Sequence, residues 1–162
     1  MSLVVRTLVY ATFFIGFLLL WLPARLLNAT GIHRPAHFAA VEFAGLLLGT
    51  FGALLALWCV VAFISLGKGT PAPFDAPRRL VVRGPYHFVR NPMYMGAALA
   101  LAGAALVYHS LALLAYAVVF LVGFHLFVVF YEEPHLRHTF GADYSAYCAH
   151  IHRWWPSLHP GA

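Results

Sequence analysis

Two adjacent carboxylates, Glu132 and Glu133, directly follow a long apolar run. Ionisable groups at membrane depth are costly to bury and are usually kept where they do chemistry. Neighbouring acids in such a place could hold ribose hydroxyls, a cation or a sulfonium. The competing reading is a charged stop at the lipid boundary. Pro134 disfavours helix at Glu133, so the apolar segment is expected to end or kink there and a new helix to begin at Pro134. His125 lies two helical turns before Glu132 and on roughly the same face. It either lines the same cavity or is a packed, hydrogen-bonded residue. The other histidines form no metal pattern, because the pairs His150/His152 and His135/His138 lack a companion acid or cysteine at ligand spacing. Cys59 and Cys148 make neither a disulfide framework nor a metal pair.

A second cluster of chemistry-bearing residues runs Arg83-Gly84-Pro85-Tyr86-His87-Phe88-Val89-Arg90-Asn91-Pro92-Met93-Tyr94-Met95-Gly96. Asn91 is a good N-cap and Pro92 suits a first helical position, so a helix is expected to start here. Its free N–H groups and the positive end of its dipole, beside Arg83 and Arg90, could hold a carboxylate or phosphate. The plainer alternative is a capped span flanked by arginines that set membrane topology, with Tyr86 and Tyr94 as interfacial aromatics.

The elements that must position these residues are membrane helices. Of 162 residues, 62% are hydrophobic and 9% charged, against about 25% charged in soluble domains. A water-soluble fold of this size has no interior large enough for so much apolar surface. Apolar runs predict spans over residues 3–22, 41–66, 92–108 and 111–131. The first is expected to remain uncleaved, since Leu22, Pro23, Ala24 and Arg25 offer no small-x-small cleavage site. Gly45, Gly49 and Gly52 in the second span, and Gly96, Ala100, Gly103 and Ala104 in the third, suit close helix contact. His109 and Ser110 predict a tight turn between spans three and four. Glu42 is read as interfacial rather than as a cation's partner. The 67–91 loop, with Pro71, Pro73, Pro77 and Pro85, predicts no long helix.

Charge distribution adds an orientation. The net charge of +5 forms no stripe on a polar surface, which argues against nucleic acid. With four spans, Arg6, Lys68, Arg78, Arg79, Arg83, Arg90, Arg137 and Arg153 share the side of the termini, and Arg25 and Arg34 lie opposite. That asymmetry predicts cytoplasmic termini. Trp154 and Trp155 are expected in an interfacial aromatic belt.

Taken together, the two clusters resemble the isoprenylcysteine carboxyl methyltransferase family and its relatives among phospholipid methyltransferases. The resemblance rests on Gly84, Pro85, Tyr86, Arg90, Asn91, Pro92, Tyr94 and Gly96, then a helical hairpin. Glu132, Glu133, Leu136, Phe140, Gly141, Tyr144, Tyr147 and Pro156 complete it. Thr70-Pro71-Ala72-Pro73 is similar to bacterial members and points to a bacterial inner membrane. The first two spans match only as generic apolar helices, which suggests residues 1–66 as an N-terminal helical pair and 67–162 as the catalytic region.

The resemblance implies an all-α membrane bundle of about four spans with a cytoplasmic C-terminal helical segment. It implies S-adenosylmethionine as methyl donor and a membrane lipid or lipid-like acceptor arriving from the bilayer. By position, Tyr86, Arg90, Asn91, Pro92, Tyr94, Gly96, Glu132, Glu133 and Tyr144 would bind the donor. An amine or thiol acceptor would need a proton acceptor, for which Glu132 or His125 is the candidate. Eukaryotic isoprenylcysteine enzymes carry an arginine shortly before the acid pair, suited to a substrate carboxylate. Here that stretch is Phe127-Val128-Val129-Phe130, so the acceptor stays open among carboxylate, thiol and amine. A membrane reductase similar to sterol reductases, using a nicotinamide cofactor, and a non-enzymatic scaffold or transporter are the competing functions.

Overall fold

The computed structural model describes residues 12–32, 37–67 and 80–157, together with Val5, Val9 and Pro35. Among these residues all regular structure is helical. In hydrocarbon a span must satisfy its backbone N–H and C=O groups within itself, which a helix does. Helix α1 covers Thr12–Ala29, α2 Ala40–Ala62, α3 Pro92–Val107 and α4 Leu111–Phe127. Helix α5, Glu133–His150, continues from α4 through a wider π-helical turn at Val128–Glu132. The helices holding α1, α2 and α4 are long and apolar enough to cross a membrane. Helix α3 has 16 residues and reaches only about 24 Å. The chain is thus an all-α membrane bundle. Its first helix runs on past the expected end at residue 22 to Ala29, with Arg25 inside it and stacked 5.7 Å from the centre of the Trp21 ring. Arg6, Arg34, Lys68, Pro77, Arg78, Arg79 and the stretch 70–73 lie outside the described residues.

Small residues make the short α3 viable. Its glycines meet those of α2 along one seam, where backbone touches backbone. A methyl group at Gly52 would lie 2.5 Å from the Gly96 carbonyl oxygen, and one at Gly45 would lie 2.8 Å from that of Gly103. Lipid tails are as apolar as leucine, so association in a bilayer comes from such close packing rather than from expelling water. The outer faces of α2 and α4, with Leu47, Phe51, Leu54, Val118 and Val119, stay exposed, as lipid contact requires.

Two prolines shape the rods in the same way. Helix α1 widens to a π-helix over Ile15–Trp21 just before Pro23, and the α4–α5 rod widens over Val128–Glu132 just before Pro134. Proline cannot donate a hydrogen bond and its ring presses on the preceding turn, so a local widening absorbs it. In the wide register the Leu22 N–H reaches the Phe17 carbonyl. The next donor in that register, for Leu18, would be Pro23, which has no N–H. The Tyr116 hydroxyl of α4 donates to the Leu18 carbonyl instead, at 2.9 Å. This bond ties α1 to α4 where the bilayer offers no water to do it. Tyr116→Phe is therefore expected to lower stability by about 1 kcal/mol, the scale of an interhelical hydrogen bond in membranes. Unfolding of the detergent-solubilised protein measures this, and an unchanged transition would contradict the assignment.

At the end of the bundle away from the acid pair, Tyr108, His109 and Ser110 form the tight turn between α3 and α4. His109 has a left-handed φ of 48°, and Ser110 Oγ caps α4 by accepting from the Leu113 N–H at 3.2 Å. Glu42 is not simply interfacial. It is buried, accepts from the Ala39 N–H at 2.9 Å, and pairs with His109 Nε2 at 2.5 Å. This contact staples the start of α2 to the α3–α4 turn.

Candidate functional site

At the opposite end, segments distant in sequence converge on the acid pair. The approach to α3 begins at Gly84, whose φ of 65° suits glycine, and passes through a 3₁₀ turn, Gly84–His87. Pro92 occupies the first helical position, where the missing N–H leaves nothing unsatisfied. Asn91 precedes it but its side chain does not cap the helix. Its Nδ2 donates instead to the Arg153 carbonyl at 3.2 Å, so it spends its hydrogen bond on the C-terminal segment.

The rod does not end or kink at Pro134 as its sequence suggests. Glu133 keeps helical angles (φ −64°, ψ −43°) because the π-helical turn before it accommodates the proline. That turn aims the two acids differently. Glu132 Oε2 accepts from the Tyr94 hydroxyl at 3.0 Å. Glu133 is buried and receives both Nε and Nη2 of Arg153, at 2.7 and 2.9 Å, with Arg90 Nη1 3.3 Å away. A forked, charge-assisted contact of this kind is directional as well as strong. The true break comes at Gly141, at φ 52° and ψ −117°, a backbone region that side chains avoid. It redirects the second half of α5, so that the Tyr147 hydroxyl donates to the Tyr86 carbonyl at 2.6 Å and Cys148 Sγ lies 2.6 Å from Arg90 Nη1.

Residues 151–157 then form a strap across the site. The Arg90 N–H donates to the His152 carbonyl at 2.9 Å, and the Ser157 N–H to the Phe88 carbonyl at 2.7 Å. Ser157 Oγ accepts from the His152 N–H at 3.1 Å. The indole N–H of Trp154 donates to His125 Nδ1 at 3.0 Å. That last bond fixes the imidazole with its ring proton on Nε2, since Nδ1 must present a lone pair. His125 therefore anchors the strap through Nδ1.

The structure brings Arg90, Asn91, Tyr94, Glu132 and Glu133 together, with Pro92 buried beneath them. Tyr144 is also buried at this end, under the Arg137 guanidinium at 5.9 Å. Tyr86 packs into the α2 side, in a cluster with Cys59, Ala62 and Val81 and edge-on to Phe63. Burial first, then the nearby Cys59, Glu132 and Tyr94, pushes its phenol well above the ordinary range. Gly96 faces Gly52 and Ala56 of α2 and acts in the seam.

Arg153, Trp154 and Cys148 belong to this site, although their sequence context does not mark them for it, and Tyr147 of the second motif joins them. Arg153 and Trp154 read as topology and interface residues. A buried carboxylate needs cations, and Arg137 and Arg153 are the two arginines that follow the acid pair in the sequence. That demand is the available signal.

Arg90 carries one further feature. Its side chain is 11% exposed, and its Nε is buried without a hydrogen-bond partner. An orphaned donor of this kind in a buried guanidinium is costly unless something accepts from it. The model of one protein family, phospholipid methyltransferase, matches residues 41–143, which run from α2 through both clusters to the first half of α5. Comparison with curated proteins and with solved structures finds no match.

Proposed function

Because this chain belongs to the phospholipid methyltransferase family, we propose that it moves a methyl group from S-adenosylmethionine to a lipid-like acceptor at the polar end of the bundle. The observation that carries the reading is Arg90, whose buried Nε is unanswered and whose Nη1 meets Glu133, next to Glu132, which meets the Tyr94 hydroxyl through one carboxylate oxygen. The donor has a carboxylate, a ribose diol and a cationic sulfur. A guanidinium with a spare donor, a carboxylate with a second oxygen and the stacked rings of Tyr94 and Phe124, 4.6 Å apart, suit those three groups. When bound, this donor supplies an electrophilic methyl group.

The chain's own residues then divide the work. Arg90 binds the anionic end of the donor, and Glu133 holds Arg90 and Arg153 in place. Glu132, steadied by Tyr94, accepts a proton at its second oxygen when the acceptor is an amine or thiol. His125 and Trp154 hold the strap closed and keep water out. Most of the acceleration comes from holding the acceptor in line, because a strong electrophile needs little activation beyond proximity and orientation. Residues 67–162 form the catalytic region in this reading, with α2 as its supporting wall. The site faces the cytoplasm of a bacterial inner membrane, with both chain ends on that side.

Thermal unfolding in detergent tests the reading. S-adenosylmethionine or its demethylated product at a hundredfold over Kd is expected to stabilise the protein by about 2.7 kcal/mol. Stabilisation by a nicotinamide cofactor alone would assign a reductase instead. No shift with either at millimolar concentration would remove the donor site from this reading.

A further inference from the structure

Helix α1 lies outside the family match, which begins after it, at residue 41. Its packing nonetheless leads to the acid pair. Phe14 of α1 meets Phe124 of α4 edge-on, with ring centres 5.5 Å apart, and Phe120 at 6.3 Å. Phe124 stacks on Tyr94 of α3 at 4.6 Å, with the planes 22° apart. The Tyr94 hydroxyl ends the file on Glu132 Oε2 at 3.0 Å. Leu18 and Leu19 of α1 pack on the same cluster, formed by Ala97, Leu101, Ala117 and Phe120. The register of α1 is set independently, by the Tyr116 bond to the Leu18 carbonyl that Pro23 leaves without a donor.

We infer that α1 is a positioning element of the active site, in which Phe14 acts through Phe124 and Tyr94 to fix the orientation of Glu132. The physical reason is that an aromatic ring in a bundle is held only by what lies against its faces and edges. Phe124 is half-buried, with Tyr94 on one face, Phe120 tilted against it at 4.6 Å, and Phe14 and Phe127 at its edges. Phe14 also meets Phe120 edge-on, so it braces both rings. Removing Phe14 frees Phe124 to tilt, and the Tyr94 ring then loses the plane that aims its hydroxyl. Glu133 and Tyr86 also act on Glu132. Glu133 is occupied by the two arginines and the Tyr86 ring is locked in the α2 cluster, so neither replaces Tyr94 as donor. Phe14 touches no substrate and is a positioning residue.

The test is a double-mutant cycle with Phe14→Ala and Tyr94→Phe in the full-length protein. The inference rests on the methyltransferase reading for its kinetic half only. There, Phe14→Ala is expected to lower kcat about tenfold with KM for the donor within twofold, and to add less than twofold in a Tyr94→Phe background. The second readout needs no activity. The infrared carboxyl band of Glu132, isolated by difference against Glu132→Gln, is expected to move in Phe14→Ala in the same direction as in Tyr94→Phe. A moved band without detectable methyl transfer would sink the activity and leave the positioning role standing. A band unmoved by Phe14→Ala but moved by Tyr94→Phe would overturn the inference whatever the kinetics show. So would additive losses in kcat. Phe14→Leu, which keeps bulk but not the aromatic edge, serves if the alanine variant does not fold, and carries the same expectations.

Discussion

Glu133→Ala is expected to be the most damaging change at the site, lowering unfolding stability by about 3 kcal/mol and donor affinity by tenfold or more. Its carboxylate is buried against two guanidiniums, one 11% and the other 31% exposed. Removing one member of a buried ion pair costs about 3–5 kcal/mol, because the remaining charge stays desolvated and uncompensated. The partial exposure of Arg153 places the expectation at the low end, since water screens that half of the pairing. Glu133→Gln keeps the shape and one acceptor oxygen, so it is expected to lose binding more than stability. Denaturant unfolding in detergent and calorimetric titration with S-adenosylmethionine measure the two effects separately. A Glu133→Ala protein that unfolds with wild-type stability would mean that the arginine pairs merely decorate the site.

Gly52→Ala is expected to rival that change from the far side of α3. Its added methyl would sit 2.5 Å from the Gly96 carbonyl oxygen and 2.6 Å from the Ala100 nitrogen. Both are backbone atoms that cannot rotate away, so the helices must separate. Overpacking of this kind costs about 1–3 kcal/mol, occasionally more, and a parted seam loses its neighbouring contacts as well. Two controls locate the effect. A methyl at Gly49 would meet its nearest atom at 3.7 Å, which is ordinary contact, so Gly49→Ala should cost no stability. Gly123 has nothing within 4 Å, and Gly123→Ala should gain stability by up to about 1 kcal/mol from helix propensity. Three alanine variants of equal unfolding stability would show that the seam does not hold the bundle. Because Gly96 lies in that seam and Tyr94, two residues before it, lies in the site, loss of packing is expected to reach Glu132 as well.

Composition and hydrophobic run length were enough to read the membrane bundle, the hairpin at His109–Ser110 and the start of α3 at Pro92. Those features depend on local chemistry: helices form where lipid leaves the backbone no other partner, and proline and serine act on their own turns. The spacing of acids, tyrosines and arginine also identified the two clusters and the family to which they belong. Partnerships between segments were a different matter. That Asn91 would bind the Arg153 carbonyl rather than cap α3 could not be read locally, because both are good hydrogen bonds and only the position of the strap decides between them. Pro134 looked like a helix end because the local rule omits the π-helical turn, a solution available when surrounding helices hold the rod in place. Glu42 looked interfacial because its partner, His109, lies two helices later in the chain. Arg153 looked like a topology residue because its carboxylate partner lies across the Gly141 turn. The amino-acid sequence by itself determined the solvent, the helices and the kinds of group at the site. The tertiary structure alone decided which arginine meets which acid and which carbonyl takes the Tyr116 hydroxyl. It also decided that His125 spends its lone pair on Trp154. The reason is that such pairings depend on distances between segments that no local preference encodes.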